Sequence, residues 1–372
     1  MTPQLQRTVD SANPLPGASV PFPHWRGRNG LEGLPKWLIC VPLVVQWLWL
    51  AARYRSWTLP SAANPSITAG GLVGEGKLEY FQGMGSVARA ATAAHHGFVV
   101  QAGLDAEALL DTLQAAGLAF PLVAKPDKGL CGYGVRRVDS LSELHDYVAR
   151  FPRGETVVLQ RFLPEPGEAG IFYARDPVDD RGAVIGLALR QFPQVIGDGT
   201  HSIGQLVAAD PRARRSTGSA RHECRTDHAR VPAKGEVVRL STIGSTRVGG
   251  LYLDGGSLVT PALVAAIDRI ARDMDNFHFG RFDVRFSSTA DLRAGKGFTI
   301  MEVNGAGSEA IEAWDPSTGL RAAFAKIFAK QRLLFRIAEA QRRAGASPIG
   351  LLGLARLNRR QLRLNALYPP SN

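Results

Sequence analysis

From residue 98 to residue 344 the apolar residues alternate between the two-residue period of β-strands and the 3.6-residue period of amphipathic helices. The strand-like segments are GFVVQAG, FPLVAKP, ETVVLQRFL, AVIGLALRQF, GRFDVRF and GFTIMEVN. Helix-like segments lie between them, and one of these begins after Ser140 with Glu143 at capping-box spacing. Residues 320–344 are predicted to form a long helix. Because hairpins and crossovers are mixed, we expect an α+β fold on antiparallel or mixed sheets.

The chain is long enough for two or three structural units with a sizeable core, since it has 372 residues. Its hydrophobic and charged fractions, 45% and 21%, exclude collagen-like and wholly disordered chains. An excess of glycine, 40 residues, predicts several loops lined by backbone. We expect a disordered N-terminus over residues 1–35, an apolar helix over 36–56, a glycine-rich segment over 57–97, a main domain over 98–330 and a basic helical tail over 331–372.

The net charge of +11 is concentrated near the end of the chain. Residues 321–372 contain eleven Lys or Arg side chains and one acidic residue, Glu339. The rest of the chain is therefore close to neutral, and nucleic acid is not expected as a partner of the main domain. The sequence leaves a homo-oligomer open.

The apolar run WLICVPLVVQWLWLAA occupies residues 37–52 and is flanked by Lys36, Arg53 and Arg55. As a helix it would reach about 24 Å, short of a bilayer core of about 30 Å. Two interpretations stay open: a helix buried against the body, or a peripheral helix at a membrane surface, which the tryptophans and basic flanks favour. The three cysteines lack paired or metal-like spacing, so we expect a cytoplasmic protein with this one point of membrane contact.

A glycine-rich segment follows a predicted strand that ends at Lys125. Gly129, Gly132 and Gly134 lie within the next nine residues. Glycines let the backbone approach an anion closely, and the lysine adds a positive charge beside it. The pattern predicts a phosphate-binding loop, although an ordinary hairpin turn would also produce it. A separate match to G-x-x-x-x-G-K at residues 71–77 lacks the following Ser or Thr and a preceding strand, so we interpret Lys77 only as a residue that could face a ligand.

The last two predicted strands carry polar residues at alternate positions. Arg281 and Asp283 share one face of the first strand, and Glu302 and Asn304 share one face of the second. Met301 and Val303 are then expected to point into the core. If the strands pair as a hairpin, the Asp, Glu and Asn oxygens converge into the kind of set that holds Mg²⁺ against phosphate. The alternative is that the acids line a solvated sheet face.

These motifs together resemble the ATP-grasp superfamily, and within it the carboxylate-amine ligases such as D-alanine–D-alanine ligases and the ATP-grasp part of cyanophycin synthetase. The resemblance covers about residues 98–330. FPQVIGDGTHSIGQLV at 192–207 and VPAKGEVVRLSTIGSTRVGG at 231–250 are especially similar to the cyanophycin-synthetase branch. It implies two α+β subdomains that clasp ATP between antiparallel or mixed sheets, with a glycine-loop lid subdomain over about residues 121–190.

The resemblance also implies roles for individual residues. Nucleotide contacts would come from Lys125 and the lid glycines, from the adenine hinge and from a ribose carboxylate; two Mg²⁺ ions, with Mn²⁺ as a substitute, would be bound by the acidic strands. Arg281 would stabilise the transferring phosphoryl group and Arg247 would lie on the substrate side. The implied residues are Lys125, Gly129, Gly132 and Gly134 for phosphate; Gln160, Phe162 and Leu163 for adenine; Glu168 for ribose; and Asp283, Glu302 and Asn304 for metal.

The resemblance implies an ADP-forming ligase that joins a small-molecule carboxylate to an amine, as in amino acids or peptides, through an acyl phosphate. Two alternatives stay open: an ATP-grasp kinase, and a non-catalytic, membrane-associated nucleotide-binding protein. The hinge departs from the family because Gln160 and Arg161 stand where two acids are common. The glycine-rich segment at 57–97, in place of a fuller N-terminal domain, is a candidate substrate-side loop.

Overall fold

A computed structural model describes residues 30–218 and 221–372. The predicted disorder of residues 1–35 therefore lies, for residues 1–29, outside the described part. Residues Gly30–Gly33, at the end of that segment, form a 3₁₀ helix whose Leu31 is fully buried. Leu31 packs there with Ile39 and Ala313, so this turn is part of the folded body.

The helices lie before, between and after the strands of the described chain. In chain order they are α1 Lys36–Arg53, α2 Lys77–Gln82, α3 Ser86–Ala90, α4 Ala106–Ala115, α5 Leu141–Ala149, α6 Ile203–Ala209, α7 Arg214–Thr217, α8 Pro261–Arg272, α9 Thr289–Arg293, α10 Leu320–Arg343 and α11 Leu351–Leu367. Further 3₁₀ turns lie at Leu59–Ala62, Thr68–Gly71, Thr246–Val248, Gly256–Leu258 and Ile311–Trp314. The predicted long helix is confirmed as α10.

The strands are short and pair antiparallel. They are β1 His95–Val99, β2 Leu122–Pro126, β3 Arg136–Val138, β4 Thr156–Arg161, β5 Gly167–Arg175, β6 Gly182–Gln191, β7 Gln194–Ile196, β8 Val237–Arg239, β9 Leu251–Asp254, β10 Phe279–Phe286 and β11 Phe298–Asn304. They form sheets in the orders β1-β4-β2-β3, β11-β10-β5-β6-β9 and β7-β8. The predicted α+β class with antiparallel sheets is confirmed.

The first sheet is covered by the two helices that the sequence pattern predicts. Asp105 accepts a hydrogen bond from Ala108 N at the start of α4, and Ser140 accepts one from Glu143 N at the start of α5. The expected capping box at α5 is wrong in one arm, because the Glu143 carboxylate accepts from the N–H of Asp139 and not from that of Ser140. The core between sheet and helices also receives Leu364 and Tyr368 from the end of the chain.

The five-stranded sheet forms the larger core. Phe282, Val284 and Phe286 of β10 all enter it, as the alternating pattern predicts. The strand between β10 and β6 is β5, which the sequence analysis did not identify. The proposed lid bounds of 121–190 run past the first sheet, which ends at Arg161, and include β5 and most of β6.

The apolar helix α1 packs along α10. Gln46 Nε2 donates to the carbonyl of Phe328 at 2.9 Å, and the Trp47 ring meets Phe335 edge-on at 5.0 Å between centroids. Most of the other large side chains of α1 are exposed. Of the described helices, α1 alone is long and apolar enough to cross a membrane, on length and composition.

Candidate active site between the two sheets

The hairpin of β10 and β11 brings the predicted polar residues together. Asp283 lies opposite Glu302, and Arg281 lies opposite Asn304. Asn304 Nδ2 donates to Asp283 Oδ2 at 3.1 Å. The predicted pairing of these strands is therefore confirmed, and the three oxygen-bearing side chains are adjacent.

A β-bulge interrupts the hairpin beside these residues. The register passes from Asp283 opposite Glu302 to Val284 opposite Ile300, so Met301 is the extra residue. Ile300 and Val303 are buried in the core, whereas Met301 is only partly buried. The expectation that Met301 points into the core was wrong, because a bulge breaks the two-residue alternation.

Two lysines approach the hairpin from other elements. Lys125, at the end of β2, is buried and donates from Nζ to Gln160 Oε1 at 2.8 Å and to the Met301 carbonyl at 3.0 Å. Burial lowers the pKa of Lys125 to about 8, against the opposing effect of the Glu302 carboxylate. Lys77, at the start of α2, is also buried, and its Nζ lies 3.5 Å from Glu302 Oε1. The position of Lys77 beside Glu302 supports the prediction that Lys77 could face a ligand.

The glycine-rich loop connects β2 to β3 next to these lysines. Gly132 and Gly134 have positive φ angles of 72° and 71°, and Cys131 has one of 52°. A side chain at Gly129 would place its Cβ 3.5 Å from Lys77 Nζ. The loop therefore combines the conformational freedom of glycine with two nearby lysines, Lys77 and Lys125.

Arg247 also contacts this loop. It donates to the carbonyls of Cys131 and Gly132, each at 3.3 Å, and its guanidinium lies 4.4 Å from the centre of the Tyr133 ring. Burial lowers the pKa of Arg247 from its usual value. In this structure Arg247 contacts the loop backbone, which differs from the substrate-side role that the resemblance implies.

Asp283 is enclosed by arginines. Arg281 Nε and Nη2 donate to its two oxygens at 2.6 and 3.0 Å, and Arg190 Nη2 donates at 3.0 Å. These two guanidiniums hold the pKa of Asp283 below its ordinary value, although its burial acts in the opposite direction. Sequence reasoning missed Arg190, which lies near the end of β6.

Glu168, the implied ribose ligand, belongs to the same buried network. Arg190 Nη1 donates to its Oε1 at 3.1 Å, and Arg285 Nε lies 3.3 Å from its Oε2. Arg285 and Arg239 both contact the Phe192 ring, with guanidinium carbons 4.6 and 3.2 Å from its centre. Arg285 could have been found, because it continues the alternation from Arg281 and Asp283 along the same face.

The implied metal ligands differ in how well they suit a divalent cation. Within residues 30–218 and 221–372, no group of three or more His, Cys, Asp or Glu side chains is arranged to hold a metal. Glu302 is partly exposed and Asn304 keeps its amide oxygen, so both fit a hard cation. Asp283 fits less well, because both of its oxygens are engaged by arginines.

The implied adenine hinge begins in the last two residues of β4 and continues beyond it. Gln160 is buried, accepts from Lys125, and has its Nε2 buried without a hydrogen-bond partner among the described atoms. Phe162 lies against the Arg137 guanidinium at 4.5 Å, and Leu163 is buried. The side-chain amide of Gln160 therefore contacts Lys125, and the same residue belongs to the implied hinge.

The glycine-rich segment before β1 packs directly on the loop after Asn304. Gly70 and Gly71 have φ angles of 63° and 76°, and their carbonyls accept from Ala306 N at 3.1 Å and Gly307 N at 2.7 Å. A Cβ on Gly71 would lie 2.6 Å from Gly305 Cα. This close backbone contact requires glycine and explains the local composition.

One acid, Glu75, and one hydroxyl, that of Tyr80, belong to the same segment. Burial raises the pKa of Glu75, and its Oε2 is buried without a hydrogen-bond partner among the described atoms. The hydroxyl of the buried Tyr80 is in the same state, with its pKa raised by burial and then by Glu75. This segment was predicted as a candidate substrate-side loop. In the structure its Lys77 lies beside Glu302.

The basic residues of the 212–230 region serve mainly as ties between elements. Arg212 donates to Glu32 at 2.5 Å, and Arg230 donates to Glu236 at 2.8 Å. Arg225 contacts both Asp139, at 3.1 Å, and Glu143. These ion pairs connect the region to Glu32, to Glu236 and to the start of α5.

Comparison with known proteins gives structural likenesses of low score. The sequence matches no protein-family model, and no curated protein matches it. A bifunctional glutathione synthetase from Pasteurella multocida is similar with a TM-score of 0.35 and 15% identity, over 69% of this chain and 36% of that one. The VanG D-Ala:D-Ser ligase from Enterococcus faecalis is similar with a TM-score of 0.38 and 13% identity, over 70% of this chain and 62% of that one. This chain thus spans less than two thirds of either protein, and at these scores neither match establishes its family.

Proposed function

We propose that this protein is an ADP-forming, ATP-dependent ligase of the ATP-grasp type that joins a small carboxylate to an amine through an acyl phosphate. The observation that carries the proposal is the site around Glu302: Lys77 and Lys125 approach it from two elements, and Asp283 and Asn304 flank it on the hairpin. Acids that lie beside several buried cations suit a reaction in which anionic groups must be brought together.

The charges of the site support phosphoryl transfer to a carboxylate. A carboxylate that attacks a γ-phosphate meets strong repulsion, which fixed cations reduce. Lys125 and Lys77 would neutralise the phosphates, and Arg281, held by two hydrogen bonds to Asp283, would stabilise charge on the transferring group. The arginine is already oriented by its carboxylate partner, so little reorganisation is needed.

Metal binding would involve mainly Glu302 and Asn304. Mg²⁺, or Mn²⁺ in its place, would supply further neutralisation of phosphate charge when bound. Asp283 would join the ligand set only by exchanging one arginine contact for the metal, since its oxygens are engaged by Arg281 and Arg190.

The glycine loop would exclude water from the acyl phosphate. Arg247 donates to two of its carbonyls, and Tyr147 Oη donates to the Gly134 carbonyl at 2.8 Å. Water would hydrolyse the intermediate before the amine attacks, so a loop that closes over the site protects the product yield.

We further propose a cytoplasmic location, which three free cysteines support.

Nucleotide binding and turnover test the proposal in sequence. Thermal unfolding would be followed with ADP or a non-hydrolysable ATP analogue, with and without Mg²⁺, for the wild type, Lys125→Ala and Glu302→Gln. We expect a Mg²⁺-dependent stabilisation that both variants lose, and then ADP release on addition of a suitable amino acid. Lys296→Ala, at a highly exposed lysine, is the matched control.

A non-catalytic nucleotide-binding protein is the second candidate. It is favoured by the engagement of both Asp283 oxygens by arginines, which leaves fewer oxygen ligands for two metal ions. Stabilisation by nucleotide that is independent of Mg²⁺, without ADP release in the presence of any amino acid, would select this candidate. Absence of any nucleotide effect at millimolar concentration would contradict both.

A further inference from the structure

One side of α1 presents a continuous apolar surface to solvent. Six large side chains on it are between 43% and 64% exposed: Trp37, Val41, Val44, Val45, Leu48 and Trp49. Their spacing of three, four and seven residues puts them on one side of the helix. We call this surface the α1 apolar face. A large contiguous apolar patch of this kind marks an interaction site, whereas a single exposed apolar residue does not.

The other side of α1 is occupied by the protein itself. Ile39, Leu50 and Ala51 are buried, and Gln46 and Trp47 contact α10. A helix attached along its length to a polar body cannot be surrounded by lipid, so α1 does not have the setting of a transmembrane span. Its geometry is that of a helix with one side packed and one side available to an apolar partner.

The apolar surface continues beyond the end of α1. Trp57 is 57% exposed, and its neighbour Thr58 donates from Oγ1 to the carbonyl of Ile349 at 2.6 Å. That bond brings the start of α11 next to Trp57, where Leu351 and Leu352 are also exposed. Exposed apolar side chains at the start of α11 therefore lie close in the fold to the segment that follows α1.

The charged residues of α1 and of the segment that directly follows it are all basic. No acidic residue occurs between Glu32 and Glu75 in the sequence. Among the described residues, no carboxylate lies within 4.0 Å of the side-chain nitrogens of Lys36, Arg53, Arg55 or Arg332. Arg332 borders the helix through Gln46, at 3.4 Å, and the Arg53 guanidinium lies over Trp49 at 5.7 Å.

We propose that the α1 apolar face docks on the surface of a bilayer that contains anionic lipid. Tryptophans beside basic residues suit the level of the headgroups, where the ring is partly apolar and the cation meets phosphate. The basic residues at both ends of α1 supply charge complementarity to anionic lipid, with about a fivefold gain in binding for each basic residue near the surface. In this orientation the domain that carries the ligand site would lie on the membrane surface as a peripheral protein and would not cross the bilayer.

Vesicle flotation of the full-length protein tests this docking. We expect it to float with phosphatidylcholine vesicles that contain phosphatidylserine, and to float at least tenfold less with phosphatidylcholine alone. Leu48→Glu should reduce flotation at least tenfold. Leu110→Glu on α4 is the matched control, since Leu48 and Leu110 are 43% and 40% exposed on helices, and it should float like the wild type.

The other outcomes are equally decisive. Equal flotation with both vesicle types, or flotation unaffected by Leu48→Glu, would overturn the proposal. A dimer in light scattering that Leu48→Glu dissociates, without flotation, would assign the face to a second copy of the chain. Unchanged thermal unfolding of Leu48→Glu would show that the variant is folded, and Arg53→Ala with Arg55→Ala provides a second test, with an expected loss of more than tenfold on anionic vesicles.

Discussion

The Lys125 ammonium on β2 donates at 3.0 Å to the carbonyl of Met301, the bulged residue of β11. This bond joins the four-stranded sheet to the five-stranded sheet across the candidate site. The bulge is what makes the carbonyl available, because in a regular ladder the neighbouring strand would compete for it. The same lysine also contacts Gln160, so one buried cation links β2, β4 and β11.

The charge of Lys125 should make nucleotide binding depend on pH. Burial lowers the pKa of Lys125 from 10.5 to about 8, so the free protein loses this cation between pH 7 and pH 9. We expect nucleotide affinity to fall across that window, by about tenfold per pH unit above the pKa at most. Isothermal titration from pH 6.5 to 9.5 measures it, with Lys125→Arg as the control that stays charged. An identical pH profile in both proteins would contradict the assignment.

The same pKa shift has a consequence for folding stability. The ammonium is less favourable in the fold than in the unfolded chain, so the unfolded chain binds more protons between pH 8 and pH 10.5. The contribution of Lys125 to stability therefore rises with pH through that window. Lys125→Met should remove this rise, and urea unfolding at pH 7.5 and pH 9.5 compares the two proteins.

Asp283 and Arg190 should show a coupled effect on stability. Asp283→Asn leaves the buried Arg281 without its carboxylate and leaves Arg190 with Glu168 alone, and we expect a loss of about 3 kcal/mol. Arg190→Met should cost less, because Asp283 keeps Arg281 and Glu168 keeps Arg285. The double variant should be more stable than the sum predicts, by about 1 kcal/mol. Urea unfolding of all four proteins measures this coupling, and exposed Asp179→Asn serves as the control.

Gly170 should not tolerate a side chain. It lies opposite Asp283 on β5, and a Cβ there would be 2.9 Å from Arg281 Cδ and 2.9 Å from Ile311 Cδ1. We expect Gly170→Ala to displace Arg281, to destabilise the fold by about 2 kcal/mol, and to weaken any turnover further. Gly319→Ala is the control, since a Cβ there meets no atom within 4 Å. Equal unfolding midpoints for the two variants would show that the strand has room.

Sequence periodicity predicted the parts of the fold that follow regular patterns. The core face of β10 and the start of α5 came from alternation and an N-cap residue, which are local signals. The pairing of Asp283 with Glu302 followed from two adjacent strands with a short connection. These local patterns were sufficient to identify the hairpin that carries the candidate site.

Long-range contacts account for what the sequence did not predict. β5 pairs with both β10 and β6, and its segment GEAGIFYAR is buried on both faces. Such a strand shows no alternation of apolar and polar residues, so sequence periodicity did not reveal it. The bulge at Met301 has no sequence mark, since its cause is the pairing itself. Arg190 reaches Asp283 from a strand 93 positions away, and only the order of strands in the sheet brings the two together.

Arg247 should control the opening of the glycine loop. It donates to the Cys131 and Gly132 carbonyls and to Ser371 Oγ, at 3.3, 3.3 and 2.9 Å. Loss of the two bonds to the loop in Arg247→Ala should raise hydrogen exchange of the loop amides about thirtyfold, because each bond contributes about 1 kcal/mol to the closed state. Amides of β5 should exchange as in the wild type, and Arg214→Ala, at an exposed arginine, is the matched control. Exchange mass spectrometry over residues 127–135 measures the change; if the loop amides of Arg247→Ala and the control exchange at the same rate, the loop is held by Tyr147 and the chain end without Arg247.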